Sequence, residues 1–239
     1  MISLSTWNMD YWKHRTKFRE SCAYYLEDID SDIKIFQEAL PDTTVFKKES
    51  LVWHAIGDKR TWGSGIYCEK YPIREYPFKT DLYGSVTAAE ISIKPDFSLV
   101  VVSLYGILEC INGSFYSISN LHRIFSDLTG TIEGGKTKKR VVIAGDFNAS
   151  LQFDERQPVK SHQVFFDRLR AWGLHNCFDG HYSNFIQTYR NKRSSVPWQS
   201  DYIFVSGFLV PFLKSCVVIE NEKVMRMSDH NIVHIEIDI

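Results

Sequence analysis

Apolar positions along this chain recur at two spacings, one that suits strands and one that suits helices. Ile2 to Trp7 predicts a strand, after which Phe18, Cys22, Tyr25, Leu26 and Ile29 return at the interval of one helix face. Ile33 to Phe36 predicts a second strand, stopping at Gln37-Glu38 ahead of Pro41. Leu51 to Ile56 and Gly65 to Cys68 read as the arms of a hairpin around Gly57-Asp58. Thr87, Ala89, Ile91 and Ile93 alternate with more polar neighbours, as in a strand with one buried face, and Leu99 to Leu104 is almost continuously apolar. Phe115 to Leu128 predicts a helix, as does Val164 to Trp172, which Gly173 ends. Val141 to Ala144, Tyr202 to Val205, Cys216 to Ile219 and Ile232 to Ile239 complete the strands. Many strands with a few long helices predict packed sheets covered by helices. With no repeat, low-complexity tract or linker, residues 1–239 read as one domain.

Composition narrows the class more than the function. Hydrophobic residues make up 44% of the chain and charged residues 24%, ordinary for a globular protein with a full core. A net charge of −1 argues against an overall basic coat for nucleic acid, while leaving room for a local patch. The five cysteines are widely spaced and form no CxxC pair, so reduced thiols are expected rather than a zinc cluster or a disulfide framework. No apolar run reaches the ~18 residues that span a bilayer, and the N-terminus lacks a signal-peptide pattern. A cytoplasmic protein without a membrane segment is the expectation.

The chemistry gathers where strands end. Val141-Val142-Ile143-Ala144 runs into Gly145-Asp146-Phe147-Asn148, and the last strand follows Ser228-Asp229-His230. A buried strand has no structural need for a carboxylate and an amide at its end, whereas metal-assisted hydrolysis needs an acid to activate water and an amide to hold it. Trp7-Asn8, Gln37-Glu38 and Tyr105 also stand at strand ends, and Asp201 begins a strand. Taken singly, Asn8 suits an Asx-turn, Glu38 a surface or capping carboxylate, Asp201 a turn cap and Tyr105 a core aromatic.

Together, Thr6-Trp7-Asn8, Ile35-Phe36-Gln37-Glu38, Gly65-Ile66 with Tyr71-Pro72-Ile73, Ser103-Leu104-Tyr105, Gly145-Asp146-Phe147-Asn148, Asp201-Tyr202-Ile203 and Ser228-Asp229-His230 resemble the endonuclease/exonuclease/phosphatase superfamily of apurinic endonucleases and DNase I-like enzymes. The elements occur in the family's order over nearly the whole chain. The resemblance implies a four-layered α/β/β/α sandwich of two packed, mostly antiparallel sheets, with a site at one end that uses Mg²⁺ or Mn²⁺. Carried over by motif, Asn8, Glu38 and Asp229 hold the metal directly or through water, as suits a hard ion that prefers oxygen. Asp146 activates the attacking water, Asn148 fixes its geometry, His230 meets a phosphoryl oxygen with Asp201 on its other nitrogen, and Tyr105 donates to the phosphate.

The substrate is less legible. Tyr105-Gly106-Ile107-Leu108 lacks the proline and asparagine that often follow this tyrosine, and Trp198-Gln199-Ser200-Asp201 replaces the signature of inositol polyphosphate phosphatases. Trp12, Lys13 and Arg15 follow Asn8, and their mix of aromatic and basic groups suits stacking on bases and contact with phosphates. Gln152 and Arg156, in an insert after the catalytic strand, are further candidates for substrate contact. Lys136 to Arg140 is a basic run expected on the far rim. A nuclease or phosphodiesterase acting on DNA or RNA is the leading expectation. The alternatives are hydrolysis of a small phosphorylated molecule, such as a nucleotide, sugar phosphate or lipid headgroup, and a binding module with an inactive site.

Overall fold

The structure is a computed structural model that describes residues 1–111, 114–133, 140–155 and 160–239. Its strands are β1 (Ile2–Asn8), β2 (Ile33–Ala39), β3 (Leu51–Gly57), β4 (Arg60–Tyr67), β5 (Ile73–Glu75), β6 (Val86–Lys94), β7 (Phe97–Tyr105), β8 (Glu109–Ile111), β9 (Ser114–Tyr116), β10 (Val141–Asp146), β11 (Leu174–Asn176), β12 (Asp201–Ser206), β13 (Leu213–Ile219) and β14 (Ile232–Ile237). The helices are α1 (Tyr11–His14), α2 (Phe18–Glu27), α3 (Ile118–Asp127), α4 (Thr129–Glu133), α5 (Leu151–Asp154), α6 (Ser161–Ala171) and α7 (Glu222–Met227).

Two six-stranded sheets pack face to face, ordered β13-β14-β1-β2-β4-β3 and β11-β12-β10-β7-β6-β5. Ile2, Leu4, Ile33 and Ile35 of one meet Val101, Leu104, Val142 and Ala144 of the other in a shared core. Trp7 and Phe36 turn to the outer face of the first sheet, where Phe18, Cys22 and Tyr25 of α2 cover them. Leu121, Phe125, Phe165 and Leu169 of α3 and α6 join the core from the second sheet's side, which explains why β7 and β10 are apolar on both faces. The expected α/β/β/α sandwich is therefore present. All five cysteines are free.

Each sheet holds one parallel pair at its centre, β1 with β2 and β7 with β10, among otherwise antiparallel neighbours. Parallel strands end on the same rim, so Asn8, Glu38, Tyr105 and Asp146 emerge together. Antiparallel β12 and β14 start where those strands finish, which adds Asp201, paired with Asp146 in register, and the Asp229-His230 turn. Just under this rim the sheet interface turns polar. Gln37 Nε2 donates to Thr6 Oγ1 at 3.1 Å and to Ser103 Oγ at 3.0 Å, tying the two sheets together beneath the carboxylates.

Several boundaries depart from the sequence pattern for physical reasons. β2 continues through Gln37-Glu38, where a register shift against β4 puts Glu38 at φ 46°. β4 starts at Arg60, five residues before the expected arm, because Gly57 pairs with Arg60 across a tight turn. Ser114–Tyr116 form a short strand, and the helix expected from Phe115 begins at Ile118. α6 begins at Ser161, ahead of the apolar run, because the Asp154 carboxylate accepts from the N–H groups of His162 (3.2 Å) and Gln163 (2.6 Å). α7 is too short for its periodicity to register; Asn221 caps it by accepting from Val224 N at 3.0 Å. Among the described residues no helix is long and apolar enough to cross a membrane.

Candidate active site

The strand ends open into a pocket of about 430 Å³ whose wall includes Asp10, Glu38, Tyr105, Asp146, Asn148, Asp229 and His230. Asp146 is fully buried at its base. Two amides hold its carboxylate: Asn8 Nδ2 donates to Oδ2 at 2.9 Å, and Asn148 donates through its backbone N to Oδ1 at 2.8 Å and through Nδ2 to Oδ2 at 3.1 Å. Asn148 reaches back in this way because it adopts the left-handed conformation (φ 47°), which asparagine tolerates. Gly145 must stay a glycine: at φ 148°, a Cβ there would lie 1.9 Å from Leu104 O.

On the other side of the pocket, His230 Nδ1 faces Asp201 Oδ2 at 2.9 Å, while its Nε2 lies 3.9 Å from Asp146 Oδ2 and 3.8 Å from Asp229 Oδ1. Ser200 Oγ donates to Asp201 Oδ2 at 3.1 Å, and the Tyr189 ring lies 4.8 Å from the imidazole. Burial opposes charge on His230, but the Asp201 and Asp146 carboxylates outweigh it and raise its pKa to about 10. Burial pushes the Asp146 carboxyl up to about 7, against the pull of His230. The two shifts are linked, since His230 in its charged form pulls Asp146 back down while Asp146 and Asp201 favour that charge.

A second acidic group flanks this one. Asn8 Nδ2 also donates to Glu38 Oε1 at 3.1 Å, and Asn8 Oδ1 accepts from Asp10 N at 3.0 Å. Both amide ends of Asn8 are thereby committed to arranging carboxylates. Tyr105 stands beside Glu38; burial first, then Glu38 and Asp146, drive its hydroxyl well above the usual range. Lys13 Nζ donates to Asp229 Oδ2 at 2.7 Å and lies 2.9 Å from Asp10 Oδ2. Burial and Asp229 raise the Asp10 carboxyl to about 7 despite Lys13, whereas His230 and Lys13 hold Asp229 below the usual carboxylate range against its own burial.

The donor set fits a hard divalent cation. Asp10 Oδ1 and Glu38 Oε2 are buried without a hydrogen-bond partner, and Asp10 Oδ2 faces the Lys13 ammonium at 2.9 Å; a cation would relieve this costly arrangement. Asp146, Asp201 and His230 also bring one ligand-type atom each within 4.8 Å of one another, and such a group could hold an ion. Its atoms are already paired among themselves, so the oxygens available to a cation lie on the Asp10–Glu38–Asp229 side.

The sequence-derived residues divide accordingly. Asn8, Glu38, Tyr105, Asp146, Asn148, Asp201, Asp229 and His230 come together, and Trp12 and Lys13 stand on the pocket wall, with Lys13 4.7 Å over the half-exposed Trp12 ring. Arg15 is exposed, 5.9 Å from the Tyr11 ring, and stands off that wall. Gln152 needs correcting as a substrate contact. Its side chain is buried, donating to Pro197 O at 3.1 Å and accepting from Gln199 N at 3.0 Å, on the wall of a separate groove of about 520 Å³. Arg156, and Lys136 to Lys139 of the basic run, lie outside the described residues. Sequence reasoning missed Asp10, Arg60, Trp62 and Tyr189, all on the pocket wall. Asp10 alone had a readable signal, a carboxylate two residues after Asn8.

The rim of the two sheets thus gathers carboxylates, amides and a carboxylate-bound histidine around one pocket. The sequence profile of the Endonuclease/Exonuclease/phosphatase family matches residues 5–230, and the chain belongs to that family. Enzymes of this family generally use divalent metals. A search of curated protein sequences returns no match. Among solved structures, the 3′ phosphatase NExo from Neisseria bound to product DNA hairpin superposes with a TM-score of 0.76 at 19% identity, covering 100% of both chains. An AP endonuclease from Archaeoglobus fulgidus gives 0.74 at 16% identity, again over 100% of both chains. The endonuclease domain of TRAS1, a telomere-specific non-LTR retrotransposon, gives 0.70 at 18% identity, covering 99% of this chain and 97% of that one.

Proposed function

We propose that this protein is a Mg²⁺- or Mn²⁺-dependent phosphodiester hydrolase acting on nucleic acid. The carrying observation is the placement of Asp146, clamped by Asn8 and Asn148, between the His230–Asp201 pair and the buried carboxylates of Asp10 and Glu38. Asp10, Glu38 and Asp229 would hold a divalent ion, which would supply positive charge to offset the negative charge growing on the phosphoryl oxygens. Asp146 accepts the proton of the attacking water, and Asn148 keeps its carboxylate turned toward the pocket. His230, charged and oriented by Asp201, donates through Nε2 to a phosphoryl oxygen. Tyr105 donates its hydroxyl proton to the same group, since its raised pKa keeps it a donor. Trp12 offers a base-sized flat surface at the pocket mouth.

Two solved neighbours named as endonucleases, and a third named as a 3′ phosphatase and bound to a DNA hairpin, support a nucleic acid as substrate. The net charge of −1 favours the second reading, a small phosphorylated molecule. Turnover of labelled DNA and RNA oligonucleotides, nucleotides and sugar phosphates with Mg²⁺ or Mn²⁺ tests both. Hydrolysis confined to the small phosphates would replace the first reading with the second.

A further inference from the structure

The proposed reaction needs Asp229 and His230 held steady, yet neither lies in a helix or strand. They sit between the end of α7 at Met227 and the start of β14 at Ile232. From within the fold, Ser228 Oγ donates to Asn8 O at 2.7 Å and accepts from His230 N at 3.0 Å, and Trp7 Nε1 donates to His230 O at 3.1 Å. On the outer side, Asn231 Nδ2 donates to Gln187 O and Glu220 Oε2, both at 3.0 Å, and one guanidinium bridges the two ends of the turn. Arg190 Nη2 donates to Ser228 O at 2.6 Å, its Nη1 donates to Asn231 Oδ1, and its backbone N donates to Asp229 O at 2.8 Å. Ser228 and Asn231 are the residues on either side of the functional pair, so the fork of one arginine spans it.

The same short segment also braces the histidine's partner. Thr188 Oγ1 accepts from the backbone N of both Ser200 and Asp201 at 3.0 Å, and Asn231 N donates to Thr188 O at 2.7 Å. Tyr189, between Thr188 and Arg190, lies against the His230 ring. Arg190 is half-buried and does not stand on the pocket wall, so its charge is spent inside the protein. A lysine could satisfy one of the two acceptors; the planar fork satisfies both.

We infer that Arg190 is a positioning residue for the Asp229-His230 pair: it fixes the metal-side carboxylate and the phosphate-side imidazole together, without touching substrate. This rests on the function proposed above. Losing such a brace costs about 10–100-fold in metal affinity or turnover.

The test compares Arg190→Ala and Arg190→Lys with the unmutated protein. Expected for Arg190→Ala are a fall in kcat of about 10–100-fold, little change in KM, weaker Mg²⁺ binding by calorimetry, and partial recovery with guanidinium ion at non-denaturing concentration. His230→Ala should show no such recovery. Arg190→Lys keeps the charge but not the fork, so it should lose activity without responding to guanidinium; it decides the matter if Arg190→Ala does not fold. One readout needs neither metal nor substrate: the NMR signal of the His230 Nδ1 proton bound to Asp201 should shift and broaden in both variants. Folded variants with unchanged kcat, Mg²⁺ affinity and His230 signal overturn the inference. So does a raised KM with unchanged kcat, which would mean direct contact with substrate. An unmutated protein that hydrolyses nothing in the panel overturns the proposed function instead, while the His230 signal still reports on the brace.

Discussion

The His230 imidazole stands among three carboxylates, with Nδ1 2.9 Å from Asp201 Oδ2 and Nε2 3.9 Å from Asp146 Oδ2 and 3.8 Å from Asp229 Oδ1. Asp201 and Asp146 do different work. Asp146→Asn keeps the shape but removes the proton acceptor, so kcat should fall by about 10² or more while substrate still binds. His230→Ala should do the same. Asp201→Asn removes only the charge that orients and protonates His230, so its loss should be the smaller. Steady-state kinetics of the three variants check this ranking, and near wild-type kcat in Asp146→Asn would end the assignment of Asp146 as base.

Activity is expected to vanish in EDTA and return with Mg²⁺ or Mn²⁺, because an all-oxygen site binds such ions reversibly. Lys13 competes for the same oxygens through its 2.7 Å contact with Asp229. Lys13→Met should therefore tighten Mg²⁺ binding measured by calorimetry, and Asp10→Asn should weaken it. Equal affinities in all three proteins would rule out Asp10 as part of the cation site.

A nucleic acid strand would run past Trp12 at the pocket mouth, whereas a small phosphate would not. Binding of short oligonucleotides to the Asp146→Asn protein across a salt series separates the two. Each lost phosphate contact flattens the plot of log affinity against log salt by roughly one counterion, and a lost stacking residue costs about 1–3 kcal/mol with little change in slope. Arg15→Ala should flatten the plot, and Trp12→Ala should lower it in parallel. Silence in both variants, beside rapid turnover of a nucleotide, favours the small substrate.

Stability should depend on pH through His162. This buried ring accepts from Ser150 N through Nδ1 at 3.4 Å, and burial lowers its pKa below 6.5 despite the nearby Asp154. The unfolded chain then takes up the proton first. The contribution is complete above pH 6.5 and is lost as pH falls through the lower folded value. Tm should decline on that acid side, and His162→Gln should decline less steeply. Parallel curves would exclude the residue as the cause.

Gly145→Ala should destabilise the protein by about 3 kcal/mol, because its methyl group would meet Leu104 O and the Gln37 amide that ties the sheets together. Denaturant unfolding measures this. A change within about 0.5 kcal/mol, the range of surface substitutions, would mean the strand end yields more easily than its packing indicates.

The strands that were easiest to read, β7 and β10, are the ones buried on both faces, since continuous Val-Ile-Leu runs leave little ambiguity. The hardest pieces were those whose cause lies outside their own apolar run. α6 starts on a cap supplied by Asp154, and β4 starts early because Gly57 turns tightly onto Arg60. Gln152 was a candidate for substrate contact in the insert after the catalytic strand, but the backbone of Pro197 and Gln199 claims its side chain.

Hydrophobic period pointed to packed sheets covered by helices, and the resemblance carried by the strand-end motifs implied the four-layered sandwich, the family and the order of Asn8, Glu38, Tyr105, Asp146, Asp201, Asp229 and His230 along it. These are local properties, since each strand records its own burial and each strand end its own polar group. Which strands lie parallel, and therefore which ends share a rim, is a property of pairing between distant segments. Only the tertiary structure decided that Asp10 joins Glu38 and Asp229, that Trp62 of β4 reaches the same pocket, and that Arg190 braces the Asp229-His230 turn. The physical reason is that a side chain's role depends on which acceptors and charges it meets. Those partners can come from elements 223 residues apart, as in the Trp7–His230 contact.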